Sequence, residues 1–268
     1  MNFNLIYSQG RVGDKTEHTI RGAALTAQEL EYMQGSKGVC VGKWHPPASD
    51  DWSTCLPQAQ ETLVSLKKAV SISIKSDRLT ILASNTCSAS LATLPVVVEQ
   101  YPEVIILWFD AHGDFNTPET TTTGYLGGMV LAAACGLWDS GHGSGVRPEQ
   151  VVLVGAHDID PPERDLLHNA GVRVIPPKEV TPNSVLNAIG DAKVWIHIDW
   201  DVLEPGHIPA DYEVAGGLVP KQIQAVLSSI PSDRILGIEL AEFKAPLESK
   251  DIDSAINNIR LIVDPVIA

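Results

Sequence analysis

This sequence predicts an α/β fold in which helices cover both faces of a parallel sheet, and three observations carry that reading. Eight short runs rich in β-branched and aromatic residues recur along the chain with helical segments between them. Several of those runs are apolar throughout rather than alternating, the pattern of strands buried on both faces. Two of them end in acidic and imidazole side chains spaced two apart, and in such sheets ligands bind beyond the carboxyl ends of the strands.

Taken in order, the first run spans 2–6 and the second 38–41, with a helix at 24–33 between them. A helix at 58–75 precedes the third run, 79–83. The fourth, 104–109, reads Val-Ile-Ile-Leu-Trp-Phe and leads to a helix at 127–134. A Gly- and Ser-rich stretch, 140–148, reads as a surface loop holding His142. Then come a strand at 151–155, a helix at 161–169, a strand at 172–175 and a helix at 181–190. The run 194–199, a helix at 220–228, the run 235–240 and a helix at 251–265 complete the alternation.

At 268 residues and 44% hydrophobic content, the chain is expected to bury a large core as one domain spanning 1–268. Its formal charge of −14 argues against a nucleic-acid partner or an anionic membrane surface, and favours a small cationic substrate. With no signal pattern at its start and no apolar run near the roughly twenty residues that span a bilayer, a cytoplasmic protein is expected. Cys40, Cys55, Cys87 and Cys135 are widely spaced without a Cys-x-x-Cys pair, which reads as reduced, buried thiols.

The chemistry concentrates at two strand ends. In an extended chain alternate side chains share a face, so Asp110, His112 and Asp114 converge as the run 104–109 ends. The run 194–199 delivers Asp199 and Asp201 by the same spacing, so both ends can serve one site. Four carboxylates and an imidazole repel one another, and burying unpaired carboxylates costs roughly several kcal/mol each. Divalent cations remove that cost. A carboxylate-rich shell with one nitrogen suits Mn²⁺ better than structural zinc, with shared aspartates bridging two ions. A lone Asp-x-Asp is also an ordinary strand-end turn, and it is the pairing of the two motifs that favours metal.

Asp110-Ala111-His112-Gly113-Asp114-Phe115-Asn116-Thr117-Pro118, followed by Thr123-Gly124-Tyr125-Leu126-Gly127-Gly128, resembles the arginase (ureohydrolase) family. So does Asp199-Trp200-Asp201-Val202-Leu203-Glu204-Pro205, with Gly216-Gly217-Leu218 after it. The resemblance implies a three-layer α/β/α sandwich on a parallel eight-stranded sheet, the arginase/deacetylase-like fold, and the eight runs agree with it in number. It implies a two-manganese centre in which Asp110 and Asp199 bridge, Asp114 binds one ion, and His112 and Asp201 bind the other. Hydroxide would attack a guanidino carbon, with Asp114 carrying a proton to the leaving amine. Glu242 would pair with the guanidinium group, Glu239 being its nearer rival. Asn116 and Thr123 match positions that contact an α-carboxylate. Asp160 and Glu163 match those that contact an α-amino group, although both also suit the first turn of a helix. The substrate so implied is an arginine-like amino acid, and the assembly a homo-oligomer, trimer or hexamer.

The chain departs from the family pattern at its substrate loop, where Glu204 replaces the usual Asp and Pro209-Ala210-Asp211-Tyr212-Glu213 replaces a Gly-Thr-rich stretch, and in two further places that bear on chemistry. Ser84-Asn85-Thr86-Cys87-Ser88-Ala89 stands where the family usually carries Gly-Gly-Asp-His, which puts Cys87 in the place of a metal-binding histidine. A soft thiolate matches Mn²⁺ poorly, so that site is expected to bind its ion weakly or take another divalent metal. The other reading of Cys87 is an unliganded small residue. Gly127 replaces a family histidine thought to shuttle protons, and its loss is expected to open space for a substituent on the terminal guanidino nitrogen. Together the two departures look similar to the arginase-like hydroxyarginine hydrolases of D-cycloserine biosynthesis, which release hydroxyurea and ornithine, so Nω-hydroxy-L-arginine is the favoured substrate. The alternatives are an agmatinase or other ureohydrolase, or a degenerate member that binds a guanidino metabolite without cleaving it. His197, two residues before Asp199, reads as a hydrogen-bonded core residue.

Overall fold

The structure is a computed structural model that describes residues 3–76 and 78–267. Its elements run β1 (Asn4–Ser8), α1 (His18–Gln34), β2 (Val39–Val41), α2 (Trp52–Ser73), β3 (Thr80–Ala83), α3 (Ser90–Gln100), β4 (Ile105–Phe109) and α4 (Val130–Ala134). They continue through β5 (Val151–Val154), α5 (Pro161–Ala170), β6 (Arg173–Ile175), α6 (Pro182–Ile189), β7 (Val194–Asp199), α7 (Pro220–Ser229), β8 (Ile235–Ala241) and α8 (Ser249–Ile267). The eight strands form one sheet in the order β2-β1-β3-β8-β7-β4-β5-β6, and every neighbouring pair is parallel. All carboxyl ends therefore open on the same rim.

Side-chain alternation along the strands divides the core in two. Leu107 and Phe109 of β4, with Ile196 and Ile198 of β7, join one cluster with apolar side chains from α1, α6, α7 and α8. Ile106, Trp108 and Trp195 join the other, with residues from α2, α3, α4 and α5. Four helices on each face make the three layers that the resemblance implied. Among the described residues no helix is long and apolar enough to cross a membrane.

Three differences from the sequence reading have local causes. The first strand lies at Asn4–Ser8 rather than 2–6, and Asn2 falls outside the described residues. Helix α3 was not expected at all: Pro95 and three consecutive valines, Val96 to Val98, oppose helix propensity. Its residues from Ser90 to Val98 are all buried, so no polar face marks a helical period. Helix α2 starts at Trp52 rather than 58, because the Asp51 carboxylate caps it by accepting from the Ser53 amide at 3.1 Å.

Candidate active site

Strands β3, β8, β7 and β4 are adjacent at the sheet centre, and their carboxyl ends bring the predicted groups together. Asp110 follows β4 directly and Asp199 closes β7; their two strands pair from Ile105↔Val194 onward. Cys87 opens a single 3-10 turn after β3, and Glu242 follows β8. Ligand atoms of Cys87, Asp110 and Asp114 lie within 4.8 Å of one another, as do those of Asp110, His112 and Asp201, and those of Cys87, Asp199 and Glu242. Asp110 is common to two of these groups, and so is Cys87. Asp199 falls in one group only, beside Cys87, whose thiol donates to its Oδ2 at 3.0 Å.

The electrostatics of the cluster call for cations. Burial, and then the charges of Asp110 and neighbouring carboxylates, push the carboxyl of Asp114 well above its ordinary range. Asp199 is pushed the same way by burial and by Asp201, and Asp201 rises to about 7 through burial and Asp110. Burial opposes a charge on His112, but hydrogen bonds from its Nδ1 to Asp201 at 3.0 Å and Asp110 at 3.3 Å push it to about 12. Burial, followed by the Asp199 charge, pushes the Cys87 thiol up. Asp114 Oδ2 is buried with no hydrogen-bond partner among the described residues, the state of an acceptor shaped for a ligand rather than for protein. This donor set fits divalent metal.

Behind Cys87 lies a polar chain inside the core. His197 Nε2 is 3.2 Å from Cys87 Sγ, and its Nδ1 is 2.9 Å from Glu239 Oε2. Ser90 and Thr93 of α3 donate to the same Glu239 carboxylate. The His197 ring stacks on Trp108 at 3.6 Å between centroids. Glu239 is thus committed to the interior, and His197 stands outside the three donor groups.

Over the cluster opens a cavity of about 250 Å³ lined by Cys87, His112, Asp114, Asn116, Thr123, Asp160, Glu163, Asp199 and Asp201, among others. Every residue assigned to substrate or metal from the sequence lines it except Asp110 and Glu242. The amino-acid-binding candidates differ in exposure. Glu163 is buried, accepts from the Phe115 amide at 2.8 Å, and is pushed up to about 7 chiefly by burial. Asp160 is exposed and accepts from the Thr122 hydroxyl at 3.3 Å. Asn116 accepts from Thr120 at 2.9 Å.

Glu242 lies behind Tyr125 rather than on the cavity wall. Its Oε1 accepts from the Tyr125 hydroxyl at 2.6 Å and from the Cys87 amide at 2.9 Å. The space expected beside Gly127 is filled, which corrects the reading of an opening there. A Cβ at 127 would sit 2.4 Å from Tyr125 Cε1, so glycine is what admits the phenol ring. Cys40 is exposed rather than buried, while Cys55 and Cys87 are buried. His142 is buried within its loop, and its carbonyl accepts from Lys67 at 3.2 Å.

Residues that sequence reasoning passed over also line the cavity: Tyr125, Tyr212, Asp158 and Thr122. Tyr125 stands inside the motif that carried the resemblance, and asking what occupies the volume a glycine vacates would have found it. Asp158 lies 3.7 Å from His112 Nε2, on a loop after β5 that no spacing rule ties to β4.

An N(omega)-hydroxy-L-arginine amidinohydrolase from Streptomyces lavendulae is 60% identical over 262 residues, covering 98% of this chain and 96% of that protein. Among solved structures, arginase from Bacillus subtilis superposes with a TM-score of 0.84 at 22% identity, over 100% of this chain and 99% of that one. Entamoeba histolytica arginase in complex with L-ornithine superposes with a TM-score of 0.85 at 19% identity, over 100% of both chains. The sequence profile of the Arginase family matches residues 18–267, and with that match spanning nearly the whole chain, the protein belongs to the arginase family.

Proposed function

We propose that this enzyme hydrolyses Nω-hydroxy-L-arginine to L-ornithine and hydroxyurea at a two-manganese centre. The observation that carries the reading is the 60% identity, across 98% of the chain, to a relative of that activity. Two differences from the usual family pattern, Cys87 and Gly127, sit in the cavity or against it and support the same reading.

In this reading Asp110, Cys87 and Asp114 would hold one ion, and His112 and Asp201, with Asp110 also in reach, would hold the other; Asp199 stands beside Cys87. The chemistry two divalent ions supply in such a shell is Lewis acidity, which ionises water near neutral pH. Water adds its oxygen to the guanidino carbon, and the bond from that carbon to the side-chain nitrogen of the ornithine moiety breaks. Asp114, whose Oδ2 lies buried at the cluster with no protein partner among the described residues, takes the proton that the water loses and passes it to the departing nitrogen. Glu163 and Asp160 take the α-amino group, and Asn116 and Thr123 the α-carboxylate. Glu242, whose carboxyl burial pushes well above its ordinary range, pairs with the guanidino end from behind Tyr125.

The test is amine release, L-ornithine from Nω-hydroxy-L-arginine and L-arginine and putrescine from agmatine, by protein loaded with Mn²⁺, with metal per subunit measured alongside. Faster release from the hydroxylated amino acid is expected. Equal or faster turnover of L-arginine or agmatine overturns the substrate assignment, and no release from any of the three overturns the hydrolase.

A further inference from the structure

We propose that Tyr125 sets specificity at the distal end of the cavity, its phenol oxygen accepting the hydroxyl of an N-hydroxyguanidino group while its own proton is given to Glu242. This rests on the substrate reading above and names the residue that would enforce it.

The geometry gives the phenol one fixed role. Its hydroxyl donates to Glu242 Oε1 at 2.6 Å, so its single proton is committed and its lone pairs remain for a donor entering from the cavity. Burial and the adjacent Glu242 charge push the phenol up, which keeps it protonated. The ring forms wall to the cavity on one side and to the small space around Glu242 on the other. A substrate therefore meets the phenol before it meets the carboxylate.

Ring and glycine work as one device. A Cβ at 127 would lie 2.4 Å from Tyr125 Cε1, 2.7 Å from Cζ and 2.9 Å from the hydroxyl oxygen. Any side chain there displaces the phenol, so the missing residue at 127 and the tyrosine at 125 are alternatives for the same volume. The ring is held from its outer side by Tyr212, 5.1 Å away between centroids at 38°, whose hydroxyl donates to Asp50 at 3.0 Å. Tyr212 belongs to the segment 209–213, which differs from the family's usual substrate loop. Two departures from the family pattern thus meet on one ring.

A nitrogen bearing oxygen reaches one bond further than a nitrogen bearing hydrogen, and it brings an O–H donor with it. An acceptor fixed at the cavity end favours the longer group. A site built around a substrate hydroxyl discriminates strongly against the analogue without it, because its own polar group is then left unpaired.

The experiment compares the metal-loaded protein with Tyr125→Phe, measuring kcat and KM for Nω-hydroxy-L-arginine, the inhibition or turnover constant for L-arginine, and the Kd of L-ornithine. The loss in kcat/KM for the hydroxylated substrate is expected to exceed that for L-arginine by at least about tenfold. The Kd of ornithine, which has no guanidino group, and the metal content should stay as they are. Equal losses on both substrates, or a retained preference, overturn the proposal. Should Tyr125→Phe not fold, Gly127→Ala displaces the same ring and must likewise erode the preference; if it does not, the proposal fails. A parent protein with no preference for hydroxyarginine is a different failure, of the substrate reading itself, and takes this proposal with it.

Discussion

Asp114, Tyr212 and Glu242 are the non-glycine residues with left-handed backbone among those described, at φ of 50°, 64° and 66°. Such torsions cost roughly 1–3 kcal/mol each and persist where the surroundings enforce them. All three stand at the cavity or directly behind it, so strain and chemistry coincide. Glu242 shows what the strain secures: a carboxylate turned back to accept from Tyr125 and from the Cys87 amide. Glu242→Gln keeps the shape and removes the charge. A charge-assisted hydrogen bond contributes about 1.5–3 kcal/mol, so kcat/KM on Nω-hydroxy-L-arginine should fall about ten- to hundredfold with metal content unchanged. Steady-state kinetics beside elemental analysis checks this. At this scale the spacing found the residues but not the reason they meet. Asp110, His112 and Asp114, like Asp199 and Asp201, are gathered by turns beyond the strands rather than by strand alternation: β4 ends at Phe109, Asp114 has left-handed backbone, and Asp201 lies in a 3-10 turn. Tyr125 and Tyr212 meet across 87 positions of sequence in irregular loops, and no periodicity encodes that.

Helix α1 reaches the site through its backbone. A Cβ on Gly22 would lie 1.7 Å from the Phe243 carbonyl oxygen, so α1 packs directly on the segment that carries Glu242. Overpacking of a core of this kind costs about 1–3 kcal/mol. Gly22→Ala should therefore lower Tm and, by shifting the chain next to Glu242, raise KM for the guanidino substrate more than it alters metal binding. A thermal melt and kinetics on the one variant read both effects, and an unchanged KM would separate α1 from the site. The strands were readable as elements because continuous apolar runs mark burial on both faces. Helix α3 was not, since a helix buried all round with a proline and a valine triplet carries neither a polar stripe nor favourable propensity. Yet α3 holds Ser90 and Thr93 against Glu239, and so supports the polar chain behind Cys87.

For the molecule as a whole, the gathered carboxylates tie stability to pH and to metal. Asp201 and Glu163 are pushed up to about 7, above their ordinary range near 4. Between those values the folded chain holds protons that the unfolded chain has lost, so metal-free stability falls as pH rises through that window. His112, pushed to about 12, acts in the same sense above its ordinary value of about 6.5: its protonated form favours the fold, and that contribution is lost on rising pH. Metal ligation runs the other way, because ligands bind after losing their protons. The Tm difference between manganese-loaded and chelator-treated protein should widen from about pH 5 to about pH 8, as scanning calorimetry would read; a constant difference would contradict the ligand assignment.

The strand order carries a further consequence for how the molecule comes into being. β7 and β8 are synthesised after the other six strands, yet they occupy the middle of the sheet, between β3 and β4. Until they arrive, the nascent chain presents two facing strand margins with unpaired amides and carbonyls, the kind of surface that seeks another chain. Asp199, Asp201 and Glu242 come with these last strands, so the pocket is completed only after the other six strands have been made. The carboxylates gathered there therefore stand together only once the sheet is sealed.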